Sequence, residues 1–287
     1  MTSPAYPTTW GVDQYSAKDG QMAALERAMG RPFGSWSVYR GLDEATQYVD
    51  VVGPALEAGK LIYLNITSSH RDGPLKLPYC WAGIAAGDHD TLLTAWASAI
   101  VAGGHQDQLV ITFEHEPLER GDRGTQPKCP SDDAVSYRAA FVHVKRWLHY
   151  RGVTARFAFV ATAGNYAAAN AGWTGLAPYV PWGYFSIIGV DVYNRVDDWK
   201  GVGVKVNALA RWRQDHPVAG AMDVIVPELG VDSRHPEAPE WITRAAADLQ
   251  TVYGAALLAV NWNLKAPYGP HDQATKDAWL GASRSWP

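Results

Sequence analysis

The chain has 287 residues, 47% of them apolar, with a net charge of −4 and a pI near 6.1. That length holds one large domain or two small ones, and the apolar share is ordinary for a globular core. The acidic balance excludes the basic face of a nucleic-acid binder, and no run reaches the roughly 18 apolar residues that a membrane span needs.

In chain order, short runs rich in β-branched and aromatic residues alternate with longer stretches of helical spacing. Trp10–Tyr15 predicts a first strand and Ala17–Met29 a helix. Phe33–Arg40 predicts the second strand, followed by helix Asp43–Ala58. Leu61–Thr67 leads to helix Asp90–Ala102, and Leu109–Glu116 to helix Asp132–Tyr150. The connection after Ala155–Thr162 is irregular from Asn165 to Tyr184 and predicts only short helical turns. Phe185–Tyr193 precedes helix Trp199–Asp215, Asp223–Gly230 precedes Pro239–Val252, and Ala255–Trp262 precedes Gln273–Ser283. Gly30, Gly59, Gly152 and Gly254 sit where helices end in a left-handed residue, and Ser131-Asp132-Asp133 reads as a helix start.

Eight strand–helix units in about this length predict an α/β fold, a (β/α)8 TIM barrel spanning residues 1–287 as a single catalytic domain. A parallel sheet is buried on both faces, and Leu61-Ile-Tyr-Leu and Phe185-Ser-Ile-Ile-Gly-Val are accordingly near-continuous apolar runs. A doubly wound open sheet would want a glycine-rich phosphate turn after strand one, and Gly11-Val-Asp-Gln-Tyr has none. No fixed-period repeat or low-complexity linker interrupts the chain. The first residues, Met1-Thr-Ser-Pro-Ala-Tyr-Pro, carry neither a basic nor an apolar leader region, so no signal peptide is expected in them.

In this fold chemistry sits where strands end and βα loops begin. Those ends carry Asp13, Tyr15, Tyr39, Arg40, Asn65, His115, Glu116, Asp191, Tyr193, Asn194, Glu228, Asn261, Trp262 and Asn263, with His70 just after strand three. The run Val110-Ile-Thr-Phe-Glu-His-Glu-Pro closes a mostly apolar strand on charged groups, which are costly there unless solvated or paired. It is not a zinc-protease HExxH, because position 119 is Glu and Pro117 follows Glu116. Asp223-Val-Ile-Val-Pro-Glu-Leu-Gly likewise ends on Glu228, with Gly230 behind it. Either carboxylate alone reads equally as a solvated or ion-paired group. As a pair they mean more: strands four and seven of an eight-stranded barrel lie nearly opposite, and carboxyls about 5–5.5 Å apart suit retaining glycoside hydrolysis, one as acid and one as nucleophile. Thirteen Trp and fourteen Tyr against six Phe fit a carbohydrate cleft, and fit equally a large core with wet edges.

These motifs resemble the retaining glycoside hydrolases of clan A, and within it family 26, typified by endo-β-mannanases. The family ends strand four in His-Glu, here His115-Glu116, and strand seven in Glu-x-Gly, here Glu228-Leu-Gly230. Strand six reads Gly-x-Asp-x-Tyr, here Gly189-Val-Asp191-Val-Tyr193, and an aromatic ends strand eight, here Trp262. The resemblance implies Glu116 as acid/base, Glu228 as nucleophile, Tyr193 as its hydrogen-bond partner and Trp262 as the floor of the sugar site. Two departures, Thr112 where mannanases often carry Arg and Pro117-Leu-Glu119 after His-Glu, keep other glycans open as substrate: β-glucan, xylan or a bacterial or phage-host envelope polymer.

Further substrate-binding candidates are His70, Arg40 (with Asp13), Asp191, and Trp173, Tyr179 and Trp182 in the long fifth loop; loop packing explains the last three as well. Cys80 and Cys129, both in loops on the catalytic face, form one disulfide or remain two thiols. His143, His149 and His216 fall on helices, no cluster has metal-ligand spacing, and neither metal nor cofactor is expected. The expected partner is a polysaccharide or oligosaccharide substrate, with no nucleic acid, no membrane span, and a monomeric chain acting outside the cell. The rival classes are a glycan-binding barrel without catalysis, which could lose one carboxylate, and a metal-dependent hydrolase, which would need clustered His and Asp.

Overall fold

The computed structural model describes residues 9–13, 26–27, 30–68, 79–118, 129, 131–263, 267–268 and 272–285. The strands are β1 (Thr9–Asp13), β2 (Ser35–Gly41), β3 (Leu61–Thr67), β4 (Leu109–Phe113), β5 (Arg156–Thr162), β6 (Ile187–Asn194), β7 (Asp223–Val231) and β8 (Leu257–Trp262). They close into a barrel in chain order, and the paired strands run parallel, as in a (β/α)8 fold. The helices are α1 (Thr46–Glu57), α2 (Trp81–Ala86), α3 (Asp90–Gly103), α4 (Ala134–Tyr150), α5 (Ala163–Asn170), α6 (Val202–Asp215), α7 (Pro217–Gly220), α8 (Ala238–Tyr253) and α9 (Gln273–Ser285). No described helix is long and apolar enough to cross a membrane.

Contacts group the chain into two compact units. The first holds residues 1–37, 162–172 and 188–287. Here β1 pairs with β2 and with β8, and Gly11 of β1 sits against Asn261 and Ser35 so closely that a Cβ would strike both. A buried polar chain runs through this place: Ser35 donates to the Asn261 side-chain oxygen (2.6 Å), the Asn261 amide to the Ser37 hydroxyl (2.7 Å), and Ser37 to the Pro227 carbonyl (2.8 Å). Each buried polar group thus finds a partner, as a barrel interior requires.

The second unit holds residues 38–161 and 173–187. β3 and β4 are almost wholly buried, which matches their apolar runs. Trp96 of α3 meets Tyr48 of α1 edge-on at 6.1 Å and donates to the Leu42 carbonyl, while Tyr137 of α4 joins Trp81, Phe113 and Phe141 in one aromatic cluster. α4 starts behind a capping box between Asp133 and Ser136. Cys80 and Cys129 form a disulfide, and the buried Asp132 carboxylate accepts from the backbone N–H of Trp81 and of Cys129 beside it.

Two boundaries differ from expectation. The fourth strand ends at Phe113, not at Glu116: Glu114 and Glu116 both take φ of +53°, which breaks the ladder before Pro117 is reached. The fifth connection opens with a helix of 8 residues, α5, capped by Thr162 and Asn165 reciprocally. Helix Ala17–Met29 lies outside the described residues except for 26 and 27, which are helical.

Candidate active site

The nucleophile candidate sits in the first unit. β7 and β8 slip in register between Val226 and Leu229, around Pro227 and Glu228. Pro227 has no N–H to give the ladder, and a bulge of this kind turns a side chain out of the regular alternation. Glu228 is half-buried, and the Tyr193 hydroxyl at the end of β6 donates to its Oε2. The Asn263 side-chain amide donates in turn to the Tyr193 oxygen at 2.5 Å, and the Asn263 backbone N–H is held by the Leu229 carbonyl at 2.9 Å. Gly230 makes room for this: a Cβ there would lie 2.6 Å from the Tyr193 ring and 2.9 Å from Tyr268. Tyr268 also meets Tyr193 edge-on at 4.8 Å.

Burial first, then the adjoining Glu228 charge and the bond to it, then Asp191, push the Tyr193 pKa well above 10; the Asn263 bond pulls the other way. The phenol therefore remains a proton donor throughout the neutral and mildly alkaline range. Asp191, two residues earlier on β6, is buried.

The acid/base candidate sits in the second unit. Glu116 is half-buried at its left-handed backbone position, just past β4. A non-glycine residue there costs energy and persists only where its surroundings hold it. Those surroundings are visible: the His115 backbone N–H donates to the Asn65 side chain (3.1 Å), and His115 Nδ1 lies 3.1 Å from the Tyr63 hydroxyl. Tyr39 packs edge-on to the His115 ring at 5.2 Å. Glu114, 4% exposed, accepts from the Ser68 backbone N–H with its carboxylate and donates its own N–H to the Ile66 carbonyl. Thr112, where the resembled mannanases often carry Arg, is buried and donates to the Ala158 carbonyl at 2.8 Å.

The other candidates divide. Trp262 closes β8 with 1% of its surface exposed and its ring edge-on to Trp241 at 6.4 Å. Arg40 is half-buried and donates to the Tyr39 carbonyl; the side chain of Asp13 lies outside the described residues, as does His70. Trp173 is 41% and Trp182 38% exposed on the fifth loop, whereas Tyr179 is buried against Tyr137. His143 binds Asp90 at 2.6 Å and His216 stacks on Trp212, both in helix packing.

Nothing in the sequence assigns a role to Asn263 at its strand end, or marks Glu114, Asn65 and Tyr63 as supports. Asn263 carried a signal, an amide directly after the strand-eight aromatic. Glu114 was hidden by the assumption that β4 continued through it.

No protein-family profile and no curated protein matches the chain by sequence. Solved structures do match in fold. A family 26 β-mannanase from Bacteroides ovatus aligns with TM-score 0.65 at 14% identity, covering 97% of this chain and 89% of its own. An endo-1,4-β-xylanase from Penicillium canescens aligns with TM-score 0.61 at 12% identity, covering 97% and 96%. Endo-glycoceramidase II from a Rhodococcus species aligns with TM-score 0.60 at 16% identity, covering 96% and 78%. At these identities the likeness is one of fold. The chain has the (β/α)8 barrel found in clan A glycoside hydrolases, the group its motifs resemble.

Proposed function

We propose that the chain is a retaining glycoside hydrolase that cleaves a β-linked polysaccharide. The observation that carries this reading is the half-buried Asn263–Tyr193–Glu228 hydrogen-bond chain, which links β6, β7 and the residue after β8. A neutral phenol aimed at a carboxylate suits a carboxylate that must stay ionised and hold one orientation, which is what a nucleophile needs. Glu116 is the partner: it protonates the departing oxygen while Glu228 attacks the anomeric carbon. It then takes a proton from the water that frees the sugar from Glu228. His115, locked by Tyr63, Asn65 and Tyr39, fixes the backbone from which Glu116 projects. The mechanism requires the two carboxyls about 5–5.5 Å apart.

The substrate favoured by the His115-Glu116 and Glu228-Leu-Gly230 motifs is a β-1,4-mannan cleaved internally. Asp191 beside Tyr193, Arg40, His70 and the exposed Trp173 are the further sugar contacts in this reading, and a polysaccharide substrate favours action outside the cell. Thr112 and Pro117 leave β-glucan, xylan and envelope polymers as the alternatives. The test is release of reducing ends from a panel of these polymers. Cleavage of mannan above all supports the specific reading. Cleavage of another β-glycan keeps the reaction and replaces the sugar, and cleavage of none refutes both.

A further inference from the structure

A groove of about 720 Å³ opens within the first unit, walled by α5, α6 and α8 and by the loops that follow β6 and β7. None of the groups assigned to catalysis lines it. Its volume falls in the range of small-ligand sites, about 300–1,000 Å³.

Its most informative wall is Trp199. The indole lies flat on the His235 ring, with centroids 3.5 Å apart and planes 9° from parallel, and its N–H donates to Glu237 at 2.8 Å. The next residue is tied down as firmly. The Asn194 side chain donates to the Lys200 carbonyl (2.7 Å) and accepts from the Lys200 N–H (3.0 Å), and Trp241 donates to the same carbonyl at 3.2 Å. His235 covers one indole face, and the half-exposed Trp199 lines the groove at an orientation fixed in advance. A rigid half-exposed aromatic of this kind loses little entropy when a ligand stacks on it.

The polar walls decide the chemistry of that ligand. Three cations (Lys200, Arg211, Arg244) and three anions (Glu237, Glu240, Asp248) line the groove, so a net charge on the ligand gains nothing from the balance. Gly203 on the first turn of α6 lacks a side chain where the Asn207 amide and the Asp248 carboxylate both approach; a Cβ there would be 3.6 Å from the one and 3.9 Å from the other. A donor and an acceptor thus line the same groove as a flat apolar surface. Uncharged sugars have that complement: an apolar ring face to stack and hydroxyls around the edge that need donors and acceptors together.

We infer that this groove is an accessory binding site for a neutral β-glycan chain, separate from the catalytic centre, with Trp199 as its stacking platform. The inference rests on the glycosidase reading. The groove starts at the loops that follow β6 and β7 and runs along α6 and α8. A polymer held there raises its effective concentration at the protein.

The test uses the full chain with Glu228→Ala, which does not cleave, run by affinity electrophoresis through gels containing the polymer that the wild type hydrolyses. Adding Trp199→Ala should raise the polymer concentration for half-retardation about tenfold, the usual scale for a buried aromatic anchor. Trp199→Phe should restore most of the retention, and Asn207→Ala with Asp248→Ala should weaken it severalfold. In the active background, Trp199→Ala should slow polymer hydrolysis and leave turnover of a short nitrophenyl oligosaccharide unchanged. Unchanged retention in Trp199→Ala, or a loss that Trp199→Phe does not restore, overturns the groove while the glycosidase reading stands. A wild type that neither retains nor cleaves any glycan overturns both.

Discussion

Replacing Asn263 with alanine deletes one amide, yet it should be felt at Glu228. The amide donates to the Tyr193 oxygen at 2.5 Å, and Tyr193 donates to Glu228. With the amide gone, the hydroxyl loses the donor that points its hydrogen at the carboxylate, while the Asn263 backbone bond to Leu229 survives in the variant. A neutral hydrogen bond contributes about 0.5–1.5 kcal/mol, so kcat/KM should fall about 2- to 12-fold. Tyr193→Phe removes the bond to the charged group itself, about 1.5–3 kcal/mol, or roughly 10- to 150-fold. Because Asn263 acts through Tyr193, the double variant should be no slower than Tyr193→Phe. The pH profile adds a second readout. Donation to a carboxylate favours its ionised form, so losing the donor should move the acidic limb of kcat/KM to higher pH. Burial holds the Tyr193 phenol well above its ordinary pKa, so the alkaline limb should stay in place when the phenol is removed. The assay is hydrolysis of a nitrophenyl β-oligosaccharide between about pH 4 and 9, with unfolding temperatures recorded alongside. Losses that multiply in the double variant, or an acidic limb that does not move, would refute the chain of action.

Other expectations concern the support around the site. Glu114→Ala leaves the buried Ser68 N–H without its carboxylate, and should cost about 1–3 kcal/mol in denaturant unfolding; Glu114→Gln, which keeps an acceptor, should cost less. Reducing the Cys80–Cys129 bond, which closes a separation of 49 residues, should remove about 4 kcal/mol on the chain-entropy account and lower the melting temperature by several degrees. Unchanged melting under reductant would mean the loop is held by Asp132 alone. Tyr48 is buried with its hydroxyl unpartnered among the described residues, and burial raises its pKa. The folded protein keeps the neutral phenol while the unfolded chain ionises near pH 10, so this contribution is complete below about pH 10 and fades above it. Tyr48→Phe should add about 1 kcal/mol and flatten the alkaline loss; a destabilised Phe variant would contradict that.

The strand count and the barrel were readable because parallel strands must be apolar on both faces, and runs such as Leu61–Thr67 and Ile187–Asn194 are buried nearly throughout. Glu228 and Tyr193 were readable as well, since a polar group at the end of such a run is costly unless it is used or paired. The strained turn after Phe113 was not. Nothing in Glu114-His115-Glu116 signals positive φ, because those residues are held there by tertiary bonds from Asn65, Ser68 and Ile66 rather than by their own preference. The edge-on contact of Trp262 with Trp241 was hidden for the same reason: an aromatic at a strand end does not name its neighbour on the next helix. α5 was missed because its stop and start signals are a reciprocal Thr162–Asn165 cap inside a run of alanines and glycines.

In the proposed mechanism Glu228 forms the covalent bond to sugar and Glu116 handles the proton. The most direct measurement is mass spectrometry of protein treated with a 2-deoxy-2-fluoro β-glycoside carrying a good leaving group, matched to the cleaved polymer, followed by peptide mapping. One fluorosugar should be added per chain, on the peptide holding Glu228, with labelling slowed in Tyr193→Phe and absent in Glu228→Ala. Label on any other carboxylate, or hydrolysis that persists in Glu228→Ala or Glu116→Ala at near wild-type rate, would contradict it.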